Sequence, residues 1–170
     1  MKFILAAFFA CTVFFFGSIT SCTKDQVSEI DAELFEKAQD TANFTWYKHN
    51  DTLLPRSSGS GHAQDFLRTR YNSIAASQLD PAGKVKANAK FPEGSLIVKE
   101  LYTSPTGLGR YAVLFKNSGD GNADPAGWIW GYIDADGTVS VPASKKGASC
   151  IECHSQSGSV DYMLMNKYFP

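Results

Sequence analysis

The sequence predicts an α+β domain, mainly an antiparallel β-sheet with flanking helices. Three observations lead there. The stretches SLIVKELY, RYAVLFKN and GWIWGYI are short apolar or alternating runs separated by Gly, Pro, Asn and Asp, which is the pattern of strands joined by turns. Ahead of them, SEIDAELFEKAQDTANF sets Ile30, Leu34, Phe35 and Ala38 at helical spacing. Finally, 170 residues with 44% apolar content suffice for one domain with its own core.

The first element is not part of that domain. MKFILAAFFACTVFFFGSITSC has a basic start at Lys2, an apolar run from Phe3 to Phe16, and small polar residues ending in a cysteine. This is the pattern of a secretory signal, with an apolar core too short for a comfortable membrane span. Ile19, Thr20, Ser21 and Cys22 resemble the lipobox of bacterial lipoproteins, where cleavage precedes the cysteine and its thiol takes a diacylglycerol. Residues 1–21 are therefore expected to be signal peptide, 22–27 a polar tether, and 28–170 the folded domain. The mature chain would sit lipid-anchored on a bacterial membrane, facing the periplasm or the cell surface.

Within the domain, Ser28 is placed to cap the first helix. LLPRSSGSGH, residues 53–62, is rich in Pro, Gly and Ser and reads as a loop. DFLRTRYN reads as extended, with Leu67, Thr69 and Tyr71 on one face and Phe66, Arg68 and Arg70 on the other. SIAASQLDPAG reads as a short helix stopping before Pro81. The three strands of the opening paragraph follow, and after them DADG turns the chain into a short TVSV strand. Alternation in SLIVKELY gives Lys99 the face of Ile97 and Leu101, and Glu100 the face of Leu96, Val98 and Tyr102. Both faces are apolar, so at least one charge points into apolar surroundings or sits at a strand end.

Near the C-terminus lies Cys150-x-x-Cys153-His154. Two thiols one helical turn apart can add to the two vinyl groups of a haem while the adjacent imidazole reaches the iron, so one covalent haem c is expected with His154 as axial ligand. A redox dithiol would expect a βαβ context and a zinc site two further ligands; neither context is visible. The four cysteines then divide without remainder: Cys11 leaves with the signal, Cys22 takes lipid, and Cys150 and Cys153 take haem. No thiol is left for a disulfide, although an exported chain would ordinarily pair its spare cysteines. Net charge is −1 with no basic run, which speaks against nucleic acid as a partner.

A sheet-based chain with a C-terminal CxxCH resembles the cytochrome P-460 and cytochrome c′-beta family. SGHAQDFLRTRYNSIAA, FPEGSLIVKELY, the GWIWGYI strand and CIECHSQSGSVDY carry the resemblance; FPEGSLIVKE and the CxxCH followed by Asp161-Tyr162 are its most specific parts. It implies a haem c held against a mainly β fold, its proximal ligand from the CxxCH, and binding of a small gas or oxidation of a hydroxylamine-type substrate at the open face. In one branch a lysine is bonded to the haem edge, and Lys99 matches it best; a lysine snorkelling from a strand end is the other reading. The family's distal residue is either a proton-relaying carboxylate, for which Asp124 stands as candidate, or a phenylalanine cap, for which Phe66 and Phe115 do. Arg70 suits a haem propionate or a distal ligand, and equally a surface salt bridge.

For the iron's sixth position, Met163 and Met165 follow His154 too closely and are expected in the core. His49 and His62 lie in polar stretches where a solvated imidazole is the default. Iron without a strong sixth protein ligand is therefore expected, the alternative being a six-coordinate electron carrier. Trp128, Trp130 and Tyr132 share a strand face and are expected to pack the core or the haem. Another electron-transfer protein is expected as partner, and related proteins are often dimers, so a homodimer is expected too.

Overall fold

The computed structural model describes residues 27–170, so the signal peptide, the lipobox and Cys22 lie outside the described residues. Helix α1 spans Glu29–Gln39. Ser28 caps it, its hydroxyl oxygen accepting the Asp31 N–H at 3.2 Å, and Glu29, Asp31 and Lys37 stand at the ends of the helix dipole that favour their charges.

Seven antiparallel strands form one sheet: β1 Thr45–Trp46, β2 Leu54–Pro55, β3 Phe66–Tyr71, β4 Leu96–Ser104, β5 Gly107–Lys116, β6 Trp128–Asp134 and β7 Val139–Val141. The order is β1-β3-β4-β5-β6-β7, with β2 also paired to β3. The stretch expected to be all loop thus contains β2, whose two residues face Leu67 and Phe66. Helix α2, Ser73–Ala76, is shorter than its sequence pattern. Asn72 caps it through the Ala75 N–H at 2.9 Å, and the chain then turns back so that Leu79 bridges Val85.

Period-two alternation splits the sheet into two dissimilar faces. One carries Leu96, Val98, Val113, Ile129 and Ile133, and packs on Leu34 and Ala38 of α1. Gly131 permits this close approach, because a Cβ there would lie 2.9 Å from Leu34 Cδ1. The other carries Leu67, Tyr71, Ile97, Leu101, Leu114, Trp128 and Trp130. It is covered by the 3-10 turn Tyr47–His49, by the loop around Val85 and Phe91, and by two one-turn helices near the C-terminus, α3 Ile151–His154 and α4 Met165–Tyr168. Among the described residues no helix is long and apolar enough to cross a membrane.

Candidate functional site

Between the second face and its C-terminal cover lies a cavity of about 240 Å³, many times what a single buried water needs. Sheet register builds its floor: Thr69, Lys99, Ala112 and Tyr132 are successive cross-strand neighbours on β3, β4, β5 and β6. Its cover brings Cys150, Cys153 and His154, and His62 comes in from the loop before β3.

Gly147 seats α3 on the sheet. Its φ is +70°, and a Cβ there would fall 2.6 Å from Trp130 Nε1, so only glycine lets the chain lie flat on that indole. Trp130 is itself fixed, donating Nε1–H to Asp124 Oδ2 at 2.9 Å. The other Asp124 oxygen accepts the backbone N–H groups of Ala126 and Trp128 at 2.8 and 2.9 Å. Asp124 is buried behind the tryptophan and does not line the cavity; with both oxygens engaged, it positions Trp130 and is not the distal carboxylate expected of it.

His154 is oriented by a single strong contact. Its Nδ1 lies 2.7 Å from the Tyr162 carbonyl, and since a carbonyl only accepts, Nδ1 carries the proton and Nε2 the lone pair. That carbonyl is aimed by a backbone in which Asp161 and Tyr162 both have positive φ, +47° and +69°, uncommon for residues with a Cβ. The Asp161 carboxylate holds the turn by accepting from Phe91 N at 2.9 Å and Trp128 Nε1 at 3.2 Å. The Asp161-Tyr162 pair, noted in the sequence only as a resemblance, is thus the device that sets the imidazole. Trp130 stands edge-on to both rings, its centroid 5.3 Å from His154 and 5.2 Å from Tyr162.

His62 differs from its expectation as a solvated residue. It is half-buried, with Nδ1 3.3 Å from the Tyr132 hydroxyl and its ring centroid 6.4 Å from that of His154. His49 is exposed, with Nε2 3.3 Å from Pro81 O. Burial pushes His62 down to about 2 and His154 to about 4, with the nearby Lys99 adding to both shifts, so both imidazoles are neutral at neutral pH. Burial also draws the Lys99 ammonium down to about 8.

Three other candidates lie on the far side of the sheet. Arg70 is buried against α1, paired with Glu100 and donating to Ala38 O and Asp40 O. It therefore makes neither the haem contact nor the surface salt bridge expected of it; burial lowers its pKa to about 10. Phe115 packs into the α1 cluster, and Phe66 shares the face of Arg68 and Arg70 on β3. Neither ring caps the cavity, because alternation from Leu67 and Leu114, which do line it, turns them away. Met163 and Met165 are buried as expected, and the Met165 sulfur accepts the Thr69 hydroxyl at 3.3 Å.

A family model described as Cytochrome P460 matches residues 45–165. The chain belongs to the cytochrome P460 family. No curated protein matches it. Membership makes this a haem cytochrome, and the residues of this cytochrome P460 fit the group. Cys150 and Cys153 are free thiols, His154 offers an oriented neutral nitrogen, and the floor beneath them is apolar apart from Lys99, Thr69 and the Tyr132 hydroxyl. Among the described residues no group of three or more His, Cys, Asp or Glu converges as a bare metal ion would need.

Proposed function

We infer that this cytochrome P460 family member is an exported, lipid-anchored monohaem c protein that binds small nitrogen oxides, nitric oxide rather than hydroxylamine. Cys150 and Cys153 would hold the haem through thioether bonds, His154 Nε2 would bind its iron, and Lys99 would lie beside it on the cavity floor. Bound haem supplies the redox couple and the position where a diatomic gas is held. The chain's residues supply the rest: Tyr162 and Trp130 fix the proximal imidazole, and Leu67, Ile97 and Leu114 exclude water.

The observation that carries the choice of gas over hydroxylamine is the cavity lining, which among the described residues holds no Asp or Glu. Oxidising hydroxylamine requires protons to be removed as electrons leave, and a carboxylate is the usual base for that transfer. Here the ionisable groups are Lys99, two neutral imidazoles and phenols, a set that tolerates a small neutral guest. Electrons reach or leave the haem through another redox protein at the same membrane surface. A second reading, an electron carrier with both axial positions filled, is favoured by one specific observation, the 6.4 Å between the ring centroids of His62 and His154.

The test takes the purified holoprotein. Acid extraction should leave the haem on the chain, and nitric oxide added to the ferrous protein should change its spectrum while hydroxylamine gives no sustained electron transfer. Haem passing into the organic phase would end the c-type assignment; a spectrum indifferent to nitric oxide would leave the electron carrier.

A further inference from the structure

We propose that His62 is the second axial ligand of the haem iron in the resting protein, opposite His154, so that an incoming gas must displace it. This rests on the haem reading above but not on the thioether bonds or the choice of gas.

Distance carries the first part. Two imidazoles bound on opposite sides of one metal ion, each at a metal–nitrogen distance of about 2.0–2.1 Å, hold their ring centroids a little over about 6 Å apart. The centroids of His62 and His154 are 6.4 Å apart. Their planes are inclined by 74°, a crossed arrangement that axial imidazoles commonly adopt.

Hydrogen bonding carries the second. His154 gives its Nδ1–H to Tyr162 O. Tyr132, whose hydroxyl sits 3.3 Å from His62 Nδ1, lies 3.5 Å from Gln64 Oε1 as donor, which leaves its oxygen to accept from His62 Nδ1–H. Each ring thus has Nδ1 engaged and Nε2 carrying the lone pair, the tautomer that an iron ligand needs, with the partner on the other nitrogen that orients it.

The loop bearing His62 is tied down at both ends of its arc. Arg56 N donates to Asp65 O at 2.7 Å across its neck, and the Tyr168 hydroxyl of α4 donates to Gly59 O at 3.0 Å. Two other side chains are engaged or distant: the Met165 sulfur accepts from Thr69, and His49 is exposed at Pro81. Met163 lines the cavity but follows His154 by only nine residues, and Lys99 is the competitor that experiment must separate.

Spin state and carbon monoxide kinetics decide the matter, on holoprotein carrying wild-type, His62→Ala, His62→Met, Lys99→Met and His49→Ala sequences. The wild-type should be low-spin in both oxidation states, with the strongly anisotropic ferric resonance of crossed imidazoles. His62→Ala should become high-spin and return to low-spin when imidazole is added, while Lys99→Met and His49→Ala stay low-spin. In wild-type the carbon monoxide rate should level off with concentration, limited by departure of His62; in His62→Ala it should be linear and at least tenfold faster. High-spin wild-type iron, or a low-spin His62→Ala protein, overturns the proposal, as does loss of the low-spin state in Lys99→Met alone. Should His62→Ala fail to mature, wild-type spin state and the levelling of its rate still decide. Acid-extractable haem with a His62-dependent low-spin spectrum would sink the thioether bonds and leave this ligand standing.

Discussion

Replacing Glu100 by glutamine removes one charge from the most deeply buried ionic group of the domain and barely changes its shape. Glu100 is 3% exposed and Arg70 not at all. Oε2 accepts Arg68 Nε–H at 2.6 Å and the Tyr102 hydroxyl at 2.8 Å, and Oε1 pairs with Arg70. Two of these donors are guanidinium groups, and a hydrogen bond to a charged group is worth about 1.5–3 kcal/mol. Arg68 is partly exposed and recovers much of its loss from water; Arg70 cannot, and breaking a buried pair costs about 3–5 kcal/mol. Glu100→Gln should therefore cost about 4 kcal/mol, which at about 2–4 °C per kcal/mol for a domain of this size lowers Tm by roughly 8–16 °C. Arg70→Met combined with Glu100→Leu removes both charges and should recover at least half of that, the remainder being the α1 carbonyls of Ala38 and Asp40 that lose their donor. Urea and thermal unfolding of the holoprotein, followed by far-ultraviolet circular dichroism, measure the loss, and haem absorption at 25 °C serves as an internal control that should not move. A loss under about 1 kcal/mol would refute the ionic account, and a haem spectrum altered by Arg70→Met in still-folded protein would return Arg70 to the haem side.

At Gly147, alanine meets both a positive φ and the fixed Trp130 indole; Gly147→Ala should cost about 2 kcal/mol or more and reduce covalently loaded haem, read by unfolding and by haem per chain. Lys99 stands at about 8 in the fold against 10.5, so between those values the unfolded chain binds more protons and stability of haem-free protein should rise with pH. Lys99→Met should remove that slope and stabilise the haem-free chain by about 2–3 kcal/mol at pH 7. His62 and His154 take protons in the unfolded chain near 6.5 but in the fold only near 2 and 4, so the same chain should lose stability as pH falls below 6.5, with roughly half the dependence after either single substitution. Cys22→Ser should move the protein from membrane to soluble fraction, and a mature chain still beginning at Met1 by mass spectrometry would contradict the lipobox reading.

What the sequence made legible was local. The Ser28 cap, the faces of β3 and β4, and the strand runs all follow from spacing within one element, and the structure has them. What alternation does not state is which of two apolar faces meets which cover. Residue type alone offers Phe66, Phe115 and Arg70 to a haem, yet all three point to the face opposite the cavity, Phe115 and Arg70 beneath α1. His62 failed for a related reason: its neighbours Ser60, Gly61 and Ala63 suggest solvent, whereas its burial comes from Tyr132, brought beside it by the sheet. Asp124 suits a distal carboxylate by type, but its task depends on an indole from the next strand reaching back over the turn. Strands β1 and β2 are too short to carry a periodic signal and exist because the edge of β3 offers them unpaired backbone groups.

Strand β4 places Lys99 and Glu100 side by side in sequence and on opposite sides of the sheet. Apolar residues do not protect this arrangement, since Leu96 and Val98 on one side and Ile97 and Leu101 on the other would exchange places with little loss of buried area. Sliding the strand by one residue would exchange the charges as well, setting an ammonium against Arg68 and Arg70 and a carboxylate on the cavity floor with no counter-ion. The adjacent pair thus acts as a key that accepts one pairing of β4 with β3 and rejects its nearest neighbour. A slip of one residue that carries Lys99 and Glu100 out of register with β3 is then penalised by electrostatic repulsion before any side chain has been misfitted in the core.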